Sequence, residues 1–245
     1  ALFCSTAVAA TPSLPFDPRD VTQGQVFLQN GYLDQPYCTS ITKTTTTHKH
    51  SSTPAEPTKR WVCTITTNSL PEGHSGEHVA VLWSDDAGVT WSEPVAVEPS
   101  PISTELDNAY SMIVASNAGI TESTTTSQRL YVIYSMNVDN VTSLPSGQHI
   151  SRVDMMGKFQ LRYSDDGGAT WSKDRYHVPY RLTPIDLNND WHGNVTIMWS
   201  VDQIKTRDNI AYFAFTKIGK YLMGPPEEWW VLMSDNILTE RNASN

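Results

Sequence analysis

The chain has 245 residues, 39% of them hydrophobic, with eight Trp and ten Tyr, enough for one large domain or two small ones around a sizeable core. Seventeen basic residues against 26 acidic ones give a net charge of −9 with no Lys/Arg cluster, which argues against a nucleic-acid partner and against docking on an anionic membrane. No run approaches the ~20 apolar residues of a membrane span.

The first residues read ALFCSTAVAATPSLPF. Residues 1–10 are small and apolar and end in Ala7-Val8-Ala9-Ala10, which is expected of a signal-peptide remnant with a small-residue cleavage site. The alternative is an ordinary apolar N-terminus. Cys4 would leave with such a peptide, and the remaining pair, Cys38 and Cys63, is the even number that an oxidising compartment prefers. Sequons of the form N-x-S/T occur at Asn140, Asn194 and Asn242, although such triplets also arise by chance. Together these features favour a secreted or extracytoplasmic protein.

From residue 20 onward the chain is expected to be all-β. A first unit, about 20–100, would use strands Gln35–Thr42, Arg60–Thr67, His78–Trp83 and Trp91–Val97. The Thr/Ser/His-rich stretch Lys43–Thr58 would form a long solvated loop. A second unit, about 101–182, would use Ala109–Ala115, Arg129–Ser135, Lys158–Tyr163 and Trp171–Val178. A third, about 183–245, would use Asn194–Val201, Ile210–Lys217 and Trp229–Met233. No amphipathic helix is expected. Cys38 and Cys63 fall on adjacent strands, which allows a cross-strand disulfide or two packed thiols.

Internal repetition is the strongest signal. SDDAGVTWS at 84–92 and SDDGGATWS at 164–172 differ at two of nine positions, each between two strand-like runs. A weaker third copy is Ser234-Asp235-Asn236. In each full copy the second Asp (Asp86, Asp166) can accept hydrogen bonds from the tight loop, with Ser84 and Ser164 opening the turn. Gly88 and Gly168 can take positive φ, and Trp91 and Trp171 re-enter the fold to bury a ring between sheets. These residues are read as a folding device, with no catalytic role.

The motif S-x-D-x-G-x-T-W, present as SDDAGVTW and SDDGGATW, resembles the Asp-box, or BNR repeat, of the sialidase (neuraminidase) superfamily. The runs GYLDQPYC, EGHSGEHVAVLWSDD, KFQLRYSDDGG and NDWHGN extend the resemblance over roughly Gly31 to Arg241. It implies a sialidase-type six-bladed β-propeller, of which this chain supplies about three blades. It further implies a glycoside hydrolase acting on the terminal sugar of a glycan, an exo-α-sialidase being the family activity, without a cofactor. Noncatalytic propellers that bind carbohydrate or protein carry the same repeat and are the alternative.

In that architecture the strand two–three loops and the blade-to-blade connections share the face opposite the Asp-boxes. They collect Asp34, Gln35, Glu72, His74, Glu77, His78, Asp107, Tyr110, Arg152, Asp154, Asp190 and Trp191. The site is expected there, with Glu72, Glu77 and His74 as catalytic candidates and the others binding substrate, since glycoside cleavage uses carboxylates of separated pKa. The family's R-I-P motif aligns with Asp34-Gln35-Pro36, which puts Asp34 where an Arg would clamp an anionic sugar. His74, Glu77 and His78 spell H-x-x-E-H, but that zinc pattern needs a helix, which Gly73 and Gly76 disfavour, so no metal is expected.

Overall fold

The computed structural model describes residues 20, 22, 24, 26–29, 31–43, 58–99, 107–117 and 128–245, apart from the side chains of 223–225. The N-terminal ten residues and most of the Thr-rich loop lie outside the described residues. Three antiparallel sheets follow one another along the chain. The first contains β1 (Tyr32–Lys43), β2 (Thr58–Asn68), β3 (His78–Ser84) and β4 (Val95–Ala96) in sequential order. The second repeats this order with β5 (Asn108–Ser116), β6 (Arg129–Met136), β7 (Lys158–Ser164) and β8 (Tyr176–His177). In the third, β9 (Met198–Trp199) and β10 (Lys205–Arg207) both pair with β11 (Ile210–Lys220), whose other edge takes β12 (Met223–Ser234). The fold is therefore all-β, with about three blades of a β-propeller. A four-residue helix, α1 (Pro184–Leu187), sits in the connection before β9.

Several strands differ from the sequence reading. The outer strands were expected over Trp91–Val97 and Trp171–Val178, but regular pairing is confined to β4 and β8. Each outer segment makes one early bond, from Ser92 N–H to Trp83 O and from Ser172 N–H to Tyr163 O. Pro94 then lacks a donor, and the Arg162 guanidinium takes the carbonyls of Ser172 and Lys173. The first strand of the third sheet, expected over Asn194–Val201, is broken into β9 and β10.

The core lies between sheets. Ile41, Val62, Val79 and Val81 meet Ile113, Leu130 and Val132 between the first two. Met112, Val114, Ile133 and Phe159 meet Phe213 and Phe215 between the second and third. The middle sheet is covered on both faces, so every residue of β6 is buried and its sequence, RLYVIYSM, shows no alternation. Strand β12 has a neighbour on one face only. Trp230 and Leu232 pack inward, while Trp229 is 86% exposed and Val231 and Met233 are exposed beside it.

The two SDD turns share one hydrogen-bond pattern. Ser84 Oγ donates to Asp86 Oδ1 and accepts from Gly88 N–H, both at 2.8 Å, and Thr90 donates to Asp86 through its N–H and hydroxyl. Ser164, Asp166, Gly168 and Thr170 repeat these bonds. Gly168 has φ +97°, and a Cβ there would meet Val81 and Val62 of the first sheet at 3.3 and 3.4 Å. Trp171 packs into the same interface, whereas Trp91 stacks on Phe27 on the outer face of the first sheet. Ser234 Oγ donates to Asn236 Oδ1 at 2.8 Å, so the third copy keeps the first bond of the motif. Replacing Asp166 by Ala removes an acceptor of three bonds. It is expected to lower the stability of the protein by about 1–2 kcal/mol, read as a urea midpoint, against less than about 0.5 for the exposed Asp139→Ala.

Cys38 and Cys63 face each other across β1 and β2 and are joined by a disulfide, so the open choice between bridge and thiols resolves to the bridge.

Candidate functional site

The loops opposite the SDD turns converge where the three sheets meet. The β2–β3 loop of the first sheet is held at both ends. Asn68 Nδ2 donates to His74 O at 2.8 Å, and Gly76 N–H donates to Asp107 Oδ1 at 2.6 Å. Asp107 is thus a loop anchor, and burial raises its pKa against the bonds it receives.

A cluster forms around Arg152, in the β6–β7 loop. Its Nη2 reaches Glu72 Oε1 at 2.6 Å, Asp154 Oδ2 at 2.5 Å and Tyr110 Oη at 3.2 Å, and its Nε donates to Asp154 Oδ1 at 3.1 Å. Tyr110 in turn donates to Asp154 Oδ2 at 2.5 Å. The hydrogen bond to Asp154, working against burial, holds the guanidinium above its already high pKa. Tyr221, in the turn between β11 and β12, accepts from Arg152 N–H at 2.6 Å, so the third sheet also supports the cluster.

Local backbone geometry makes this possible. Tyr110 sits at a β-bulge of β5 with φ 51°, which turns its side chain out of the alternation of the strand. The equivalent bulge of β1 carries Gln35 at φ 52°. Gly73, at φ +76°, lets the β2–β3 loop lie flush on the ion pair. A Cβ there would fall 2.7 Å from Arg152 Cγ and 2.9 Å from Asp154 Oδ1. Beneath the cluster, Tyr110, Ile150, Val153 and Val195 form an apolar floor against which Trp191 and Tyr221 pack.

Glu77 lies behind this loop, only 1% exposed. Gly73 N–H donates to its Oε1 at 3.3 Å, and its Oε2 is buried without a partner. Burial, reinforced by the Asp154 charge, pushes its pKa up to about 8, so it is protonated at neutral pH. Glu72, whose side chain is 47% exposed, meets solvent instead. One face thus presents a buried protonated carboxyl beside an accessible one that is paired with Arg152.

The cluster therefore unites Glu72, Glu77, Tyr110, Arg152 and Asp154, with Asp107 bracing it and Trp191 supporting it. Other candidates stand apart. His74 is exposed, its ring nitrogen 3.4 Å from Glu72 O, and His78 Nδ1 lies 3.0 Å from Gly76 O. Asp34 accepts from Tyr32 Oη and from Gln35 N–H, both at 2.8 Å, and Gln35 Oε1 is buried without a partner. Asp190 is exposed. Tyr32 and Gly73 were not foreseen. Tyr32 precedes the expected first strand, and a glycine shows no side-chain signal. A cavity of about 480 Å³ lies at the opposite end, between the second and third sheets near Tyr131, Phe213 and Asn236. Among the described residues no cluster of His, Cys, Asp and Glu could hold a metal ion, and no helix is long and apolar enough to cross a membrane.

Blade-like sheets, repeated SDD turns and the packing of a turn against the preceding sheet define a segment of a β-propeller. Solved structures of sialidases are among those similar to the chain. The chain is 16% identical to the Hadza microbial sialidase Hz136, covering 72% of this chain and 33% of that one at a TM-score of 0.44. It is 12% identical to the NanB sialidase from Streptococcus pneumoniae in complex with 2-[(3-chlorobenzyl)ammonio]ethanesulfonate, covering 86% of this chain and 44% of that one at a TM-score of 0.46. The chain thus spans less than half the length of either. No protein-family model and no curated protein matches it.

Proposed function

We propose that the protein is an exported glycoside hydrolase that removes a terminal sugar from a glycan without a cofactor. The supporting observation is the carboxyl pair, with Glu77 raised to about 8 behind Gly73 and Glu72 accessible beside it and paired with Arg152. Glycosidic cleavage requires one group that gives a proton to the leaving oxygen and another that stabilises positive charge on the sugar. In this reading Glu72 meets the sugar. Glu77 supplies the proton when the loop carrying Gly73 and Gly76 shifts to admit substrate. Arg152 orients Glu72 and carries no surplus charge, because Asp154 and Glu72 already meet it. An uncharged terminal sugar therefore suits the site better than sialic acid.

The low exposure of Glu77 favours a second reading, a noncatalytic carbohydrate-binding propeller. A panel of aryl glycosides, including a sialoside, separates the two when assayed with the full-length protein. Hydrolysis of a neutral glycoside, reduced about 10²–10⁴-fold in Glu72→Gln, is the expected result. Glycan binding with no turnover on any substrate would move the conclusion to the binding propeller, and rapid sialoside cleavage would overturn the proposed preference.

A further inference from the structure

Two of the three sequons stand on the loop end that carries the Arg152 cluster. In Asn140-Val141-Thr142, Asn140 tops the turn after β6 at φ 47°, and both it and Thr142 are exposed. Val141 packs against the apolar floor beneath Tyr110 and fixes which way the turn faces. In Asn194-Val195-Thr196, Asn194 is exposed while Val195 is buried in the same floor. Thr196 is buried, its hydroxyl 2.7 Å from Tyr180 Oη and donating to Gly157 O. Asn242 differs, because its own turn uses its amide. Its Oδ1 accepts from Ser244 N–H and its Nδ2 donates to Asn245 Oδ1, both at 3.2 Å. The Cys38–Cys63 bridge is of the kind that persists in an oxidising compartment and so supports export.

We propose that Asn140 and Asn194 are N-glycosylation sites. The donor is a lipid diphosphate-linked oligosaccharide. The asparagine amide nitrogen bonds to the anomeric carbon, the carbon–oxygen bond to the diphosphate breaks with its electron pair, and the amide proton passes to the transferase. No oxidant or reductant takes part. The modified side chains face solvent in the folded chain, so the glycans stand on the rim of the loop end without displacing core residues. The buried Thr196 adds an order of events. A transferase reads the hydroxyl of the sequon as well as its asparagine, so Asn194 is modified before the chain folds, whereas Asn140 with its exposed Thr142 remains competent afterwards. The inference rests on export and stands whether or not the protein hydrolyses glycosides.

The test is a peptide map of the full-length protein secreted by its own organism, after release of glycans by peptide-N-glycosidase in heavy-oxygen water. Conversion of Asn140 and Asn194 to heavy aspartate is expected, and unmodified asparagine at either position overturns the assignment there. In a eukaryotic secretion host, Asn140→Asp and Asn194→Asp should each remove the mass of one glycan. Aspartate tolerates the left-handed backbone at 140, so that variant folds. The folded, unglycosylated full-length chain, given an oligosaccharyltransferase and its lipid-linked donor, should be labelled at Asn140 only. Labelling at Asn194 before denaturation would overturn the order of events.

Discussion

Replacing Glu98 by alanine is expected to cost the protein about 3–5 kcal/mol of stability, a large share of what holds a typical domain together. Glu98 follows β4 in the first sheet and is 2% exposed. Four guanidinium N–H groups of the second sheet converge on its carboxylate. Arg162 donates at 3.0 and 2.9 Å and Arg175 at 3.0 and 2.6 Å, while the Tyr134 hydroxyl also donates to it. Burial opposes the charge, but Arg175, Arg162 and Tyr134 outweigh it and hold the carboxyl below its usual pKa. Truncation would leave Arg162 buried without its counter-ion at the interface between two sheets, holding only the carbonyls of Ser172 and Lys173. Urea unfolding should show a large drop in midpoint for Glu98→Ala and almost none for the exposed Glu93→Ala. A loss below about 1 kcal/mol would mean that the cluster contributes no net stability, as some buried ion pairs do.

The second large effect is a dependence on pH. Glu77 has its pKa raised from 4.5 to about 8, first by burial and then by Asp154, with Glu72 adding to the rise while Gly73 N–H and Arg152 oppose it. The folded state therefore holds a proton that the unfolded chain gives up above about pH 4.5. The stability this contributes is fully present below pH 4.5 and lost as pH rises through about 8. The total is roughly 3–5 kcal/mol, because each tenfold change in proton affinity is worth about 1.4 kcal/mol. The carboxyls of Asp85, Asp165, Asp166 and Glu98 are lowered, so their contributions vanish only in acid, outside this window. Chemical denaturation between pH 5 and 8 should thus show falling stability in the wild type and a flatter profile in Glu77→Gln. Parallel profiles for the two proteins would show that Glu77 is ionised when folded. They would also remove the proton donor from the proposed mechanism.

Much of the architecture could be read from local pattern. SDDAGVTWS and SDDGGATWS hold their own hydrogen bonds within a few residues, so the turn forms from its own atoms and marks the β3–β4 and β7–β8 corners wherever it occurs. In the first two sheets the inner strands were placed to within a few residues because their apolar, β-branched and aromatic runs are long, whereas in the third the expected Trp229–Met233 is the end of a strand that begins at Met223. The outer strands were not, because Pro94 and the carbonyl contacts of Arg162 act against pairing in a run that still looks strand-like.

The site divides along the same line. Sequence order and propeller connectivity put Glu72, Glu77, Arg152 and Asp154 at one end of the sheets, since that depends only on which loop joins which strands. Tertiary structure alone decided that Arg152 would be neutralised by Asp154 and Glu72, that Glu77 would be buried and protonated, and that His74 would face solvent. It alone brought Glu98 to Arg162, 64 residues away in the chain. Partner, burial and pKa depend on how neighbouring sheets close over a side chain, and no local run of residues carries that information.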